Sequence, residues 1–124
     1  MRAMRVTREK SGLRVRPEAS PIRELRDTLK LARPLFARLM GCSERTLANW
    51  ESGRHLPDIY KSRLNELQRL YIELSESVDP QIVGSWIITP NEGFDGLKPL
   101  ELIERGDTFR IWRMIFLLKI GNPS

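Results

Sequence analysis

Arg45 and Asn49 stand four residues apart in the stretch "CSERTLANWESG", residues 42–53. A guanidinium matches guanine O6 and N7 with two parallel N–H donors, and a carboxamide matches adenine N6 and N7 with one donor and one acceptor. Four residues is also the spacing that puts two side chains on one side of a helix. Ser43, Ser52, Arg33 and Arg54 add hydroxyl and guanidinium donors of the kind that hold phosphates and set register without reading sequence. The other use of such residues is a plain solvated face.

Other chemistry finds little support. The one cysteine, Cys42, and the one histidine, His55, belong to no cluster with metal-ligand spacing. Carboxylates are scattered, no glycine-rich phosphate loop is present, and no nucleophile stands beside a base. Neither an enzyme nor a bound metal or cofactor is expected.

The elements that must position Arg45 and Asn49 are legible. Ser20 and Pro21 open a first helix lined by Ile22, Leu25 and Leu29. A second covers residues 33–40, with Leu35, Phe36, Leu39 and Met40 apolar, and Gly41 ends it. Ser43 then caps a third helix running to Ser52, closed by Gly53. Two short helices, a tight turn and the small Ala37 at the crossing predict a helix-turn-helix. Advancing about 100° per residue from Glu44, Leu47 and Trp50 share one side, and Arg45, Ala48, Asn49 and Ser52 face the other, flanked by Glu44 and Thr46. An anchored Leu47/Trp50 side thus leaves the polar side open to a major groove, with half-sites of a two-fold dimer about 34–36 Å apart.

Charge agrees. Residues 1–20 carry a net +4, residues 21–55 a net +3 and residues 56–124 a net −2. A basic amino-terminal half fits a polyanionic partner, double-stranded DNA first among them. Residues 1–19 show no helical or strand period and are expected to be a basic disordered tail. With 124 residues and 40% hydrophobic content, the chain suits one compact domain or a module with an appendage. A lone cysteine, no apolar leader and no membrane-length apolar run point to the cytoplasm.

Beyond the helix-turn-helix (residues 20–57), a long helix is predicted over residues 58–78. Its seam, Tyr60, Leu64, Leu67, Tyr71, Leu74 and Val78, packs either on the same chain or on a two-fold mate. Residues 79–124 then read as a small helical domain: a short helix from Asp79–Pro80 to Ile87 with Ile82, Val83 and Trp86 apolar, a loop "TPNEGFDG", a helix from Pro99 to Glu104, and a last helix capped by Asp107 and reaching Ile120. Nine of the twelve residues 109–120 are apolar, and Arg110, Arg113 and Lys119 share no polar face. Such a helix needs cover nearly all round, supplied either by this chain or by another. The fold class is all-α.

Two resemblances sharpen these expectations. Leu31, Phe36–Ala37, Met40–Gly41, Ser43, Thr46–Leu47, Trp50–Glu51, Gly53 and Pro57 resemble the phage-repressor (Xre) helix-turn-helix. That likeness implies base-facing roles for Glu44, Arg45, Thr46 and Asn49 and a phosphate-facing role for Arg33. Ala32 stands where a capping Ser or Thr is usual, costing about 1 kcal/mol, and Cys42 replaces the common Val. Trp86–Ile87, Pro90–Asn91, Gly96, Pro99–Leu100–Glu101–Leu102, Gly106–Asp107 and the last helix to Gly121 resemble the toxin-binding domain of Xre/MbcA/ParS-type antitoxins. The loop reads Phe94–Asp95–Gly96 where Leu-Gly-Gly is commoner. The resemblance implies neutralisation of a cognate toxin, often of the RES type that destroys NAD, together with repression of the protein's own promoter as a homodimer. Toxin contacts are then expected from Trp86, Pro90, Asn91, Gly96, Leu97, Pro99, Trp112, Phe116 and the tail Gly121, Asn122, Pro123 and Ser124. The alternatives are a stand-alone repressor whose carboxy-terminal part dimerises or senses a ligand, and an interaction module that no longer binds DNA.

Overall fold

The structure, a computed structural model, describes residues 20–121. The expected basic tail, residues 1–19, and the three toxin-contact candidates Asn122, Pro123 and Ser124 lie outside them. Seven α-helices form the described chain: α1 (Pro21–Leu29), α2 (Arg33–Met40), α3 (Glu44–Glu51), α4 (Asp58–Leu74), α5 (Val83–Ile87), α6 (Pro99–Glu104) and α7 (Thr108–Ile120), with 3₁₀ turns at Pro80–Ile82 and Glu92–Phe94.

The caps explain the boundaries. Ser20 Oγ accepts from Arg23 N at 3.2 Å and Ser43 Oγ from Thr46 N at 3.1 Å, each satisfying a first-turn amide. Ala32 offers α2 no such cap. Gly41, at φ +77°, takes the left-handed turn that lets α3 follow after two further residues. Leu47, with Phe36, Leu39 and Met40, is wholly buried between α2 and α3. Trp50 reaches across to α4, its ring 4.7 Å from that of Tyr60.

One apolar core runs through the whole described chain, from Ile22 on α1 to Ile115 on α7. α1 packs on α5 and α2 on α6, so the amino-terminal three helices are bolted to the carboxy-terminal elements. The closest approach is Gly84, where an added Cβ would lie 1.9 Å from the Leu29 carbonyl oxygen. Gly84→Ala is therefore expected to push α5 off α1 and cost about 1–3 kcal/mol, read as a lower urea midpoint at unchanged slope. On the surface, Arg38 forms a two-pronged ion pair with Glu104, Nε to Oε2 at 2.6 Å and Nη2 to Oε1 at 2.7 Å, joining α2 to α6. The Arg38 hydrogen bonds hold the Glu104 carboxyl below the usual carboxylate range.

Several sequence-derived details change. The long helix stops at Leu74, and a turn through Ser77 carries the chain to Val78, so that residue sits beyond the helix. Leu70, absent from the predicted seam, is buried with Leu64, Leu67 and Leu74. These leucines pack into the chain's own core. The segment after Asp79 opens as a 3₁₀ turn, with Asp79 Oδ1 accepting from Gln81 N at 2.9 Å, and Ile82 is exposed. Asp107 precedes α7 but gives it no side-chain cap.

Candidate functional site

Two surfaces stand out, at opposite ends of the sequence. The first is the outward side of α3. Ser43, Glu44, Arg45, Asn49, Ser52 and Arg54 are exposed, Thr46 and Ala48 are half-buried, and Leu47 and Trp50 point inward. Ser43 is engaged as the helix cap and also donates its hydroxyl to Thr46 Oγ1 at 3.0 Å. Ser52 Oγ donates to the Asn49 carbonyl at 2.9 Å. Arg45 and Asn49 thus share an open side of a rigidly capped helix, as the four-residue spacing requires.

Beside that helix an open groove of about 650 Å³ runs between the start of α1, the end of α3 and α4, lined by Ser20, Arg23, Arg33, Ser52 and Arg54 among others. Its floor holds Glu51, an acid buried to 5% exposure. Arg26 donates Nε to Glu51 Oε2 at 2.6 Å and Nη2 to Oε1 at 3.2 Å, and Arg33 donates Nε to Oε1 at 3.0 Å. Burial pushes the Glu51 carboxyl up, and the hydrogen bonds from Arg26 and Arg33 together overcome that and hold it below the usual range. Arg33, expected to face phosphate, is therefore tied to Glu51 through Nε while its side chain stays about half exposed. In the sequence Glu51 stands out only as part of the Trp50–Glu51 match. The same helical wheel places it beside Leu47, and that was the signal available.

The second surface is α7. Ile111 and Ile115 are buried against the core. Glu66 of α4 fastens the near side, accepting from Thr108 Oγ1 at 2.9 Å and from Trp112 Nε1 at 3.3 Å. Lys119 pairs with Glu73 and, at 3.0 Å, with Glu76. The far side is bare: Phe109 is 71% exposed, Phe116 60% and Ile120 63%, with Leu117 and Leu118 partly exposed beside them. Among the described residues no helix covers this face. Of the two α7 candidates only Phe116 lies on this face, since Trp112 is half-buried on the near side against Glu66; Phe109, Leu117 and Ile120 join Phe116, and the missing polar face of residues 109–120 is the signal for them.

The remaining toxin-contact candidates divide. Pro99 is a correction: as the first residue of α6 it is buried in the core and is unavailable to a partner. Asn91 organises its own loop, with Oδ1 accepting from Gly93 N at 2.8 Å and its carbonyl from Phe94 N and Gly96 N. Gly96, at φ +86°, makes the turn that follows. Trp86 packs edge-on to the buried Phe94 at 6.1 Å and is half-buried, as is Leu97, whereas Pro90 and Gly121 are exposed. Cys42 is half-buried, and burial pushes its thiol up, which disfavours the thiolate form. Among the described residues no group of His, Cys, Asp and Glu is placed to hold a metal ion, and no helix is long and apolar enough to cross a membrane.

No protein-family model matches the chain. A probable mycobacterial cidal antitoxin of Mycobacterium tuberculosis is 31% identical over 88 residues, spanning 71% of this chain and 76% of that protein. The chain belongs to the mycobacterial cidal antitoxin family. The antitoxin MbcA of Mycobacterium bovis is 27% identical to this member over 84 residues, 67% of this chain and 74% of MbcA. In three dimensions the antitoxin resembles a chain in the crystal structure of the M. tuberculosis MbcT-MbcA toxin-antitoxin complex, with TM-score 0.68 and 26% identity over 86% of this chain and 97% of that one. The all-helical fold matches the expectation drawn from the helix signals along the chain, the antitoxin class matches the resemblance carried by residues 86–121, and the non-enzymatic reading agrees with both.

Proposed function

We propose that this antitoxin neutralises a cognate toxin by docking it on the bare face of α7 and the adjoining Pro90–Gly96 loop, and that it represses its own operon as a homodimer through α3. The observation that carries the first part is the uncovered Phe109/Phe116/Ile120 stripe in a chain whose structural relative comes from a toxin-antitoxin complex. Burying each of those side chains would contribute about 1.5–3 kcal/mol, so a partner gains enough there to stay bound. In the same reading Trp86 and Leu97, beside the loop, and Trp112 and Gly121, on and after α7, take part in toxin contact, as do Asn122, Pro123 and Ser124. A RES-type toxin that degrades NAD is the partner class implied by the likeness to Xre/MbcA/ParS-type antitoxins.

For DNA, α3 is a helix-turn-helix reading head. Arg45 and Asn49 meet base edges, flanked by Glu44 and Thr46, while Ser43, Ser52, Arg33 and Arg54 approach phosphates. Arg45→Ala is expected to cost about 1–3 kcal/mol at one base position and to relax preference there, measured by competition between operator variants at fixed salt. Equal weakening on every sequence would assign Arg45 to phosphate.

The test of the whole reading is co-expression with the toxin encoded beside this gene. Rescue from growth arrest together with a co-purifying complex is the expected result. Operator binding with no toxin partner would favour the stand-alone repressor.

A further inference from the structure

Arg113 sits in the middle of the bare stripe of α7, within one turn of Phe109, Phe116 and Leu117, and is exposed. The other two cations of that helix have partners: Arg110 bonds Asp95 at 3.1 Å, and Lys119 bonds Glu73 and Glu76. Arg113 takes part in no ion pair among the described residues. α7 itself contains no acid, and the acids along its edges, Glu66, Glu73, Glu76 and Asp95, already hold groups of α7. A partner that covers the stripe therefore removes water from a guanidinium for which the described residues supply no counter-charge. A desolvated, unpaired charge opposes association more strongly than the neighbouring apolar contacts at that spot favour it. The same stripe of a second copy, which has no acid of its own, would offer Arg113 another guanidinium rather than a carboxylate.

Resting on the toxin-docking reading above, we infer that Arg113 is a specificity-determining residue: the toxin that covers α7 presents a carboxylate inside an otherwise apolar patch, and Arg113 selects for it. Toxins with an uncharged patch of similar shape are rejected by the cost of stripping Arg113 of water.

The experiment compares Arg113→Met, Arg113→Lys and Phe116→Asp in the full chain, each titrated with the neighbouring gene's toxin after thermal melts show unchanged folding. Expected is toxin release by Phe116→Asp, weakening of about thirtyfold or more by Arg113→Met, and partial retention by Arg113→Lys. Release by Phe116→Asp with Arg113→Met binding as well as or better than the parent would overturn the inference and leave toxin docking on α7 standing. Toxin still bound to Phe116→Asp would overturn the docking reading and the inference together. A toxin-free dimer that Phe116→Asp converts to monomer would assign the stripe to self-association and likewise overturn both.

Discussion

Phe116→Asp is expected to weaken the toxin complex by more than about a hundredfold while leaving the free antitoxin as stable as before. The two halves of that expectation have one cause. Phe116 is 60% exposed, so its ring contributes little to the isolated fold, and a surface substitution there moves stability by about 0.5 kcal/mol or less. On the proposed docking the ring is an aromatic anchor of the toxin interface, a position where truncation costs about 2–4 kcal/mol, and a carboxylate adds its own desolvation. Titration calorimetry against the toxin and thermal melts of the free chain measure the two halves separately. A drop in melting temperature matching the lost affinity would mean that Phe116 is part of the chain's own core.

Glu51→Gln is expected to destabilise the fold by about 3 kcal/mol, because it leaves Arg26, only 17% exposed, without its counter-charge. For a chain of this size that lowers the melting temperature by roughly 10–20 °C. The same acid predicts a pH dependence. Its carboxyl titrates below the usual range in the folded state, so the unfolded chain binds the proton more readily. The stabilisation is complete above the ordinary glutamate value of about 4.3 and fades as pH falls below it towards the folded-state value. Wild type should therefore lose stability on acidification more steeply than Glu51→Gln, which has no proton to take up there. Parallel curves for the two proteins would contradict the role given to the Arg26–Glu51–Arg33 cluster. If α3 reads operator DNA as proposed, Glu51→Gln also weakens that binding beyond what its instability explains, since Arg33, which Glu51 holds, would face phosphate.

How far the residues alone reached depends on what each signal was. Local signals carried: Ser20, Ser43, Gly41 and the Pro99 start fixed helix ends, because caps act within a turn of chain. The α3 wheel was sound because Leu47 and Trp50 left one way for the helix to lie. Features set by distant contacts escaped. Nothing near Glu51 in the chain announces Arg26, which is twenty-five positions away, and Gly84 reads as an ordinary weak helix residue until Leu29 lies against it. Pro99 was assigned to a partner from its motif, but the packing of α6 on α2 and α7 closes over it. On α7 the composition announced that cover was needed, and among the described residues Phe109, Phe116 and Ile120 are left without it.

Hydrogen exchange of the full antitoxin with and without its toxin addresses the central claim most directly. The expected result is strong slowing across α7, Thr108–Ile120, and the adjacent Pro90–Gly96 loop, with α3 unchanged. Slowing confined to α3, with α7 exchanging as it does in the free chain, would contradict it.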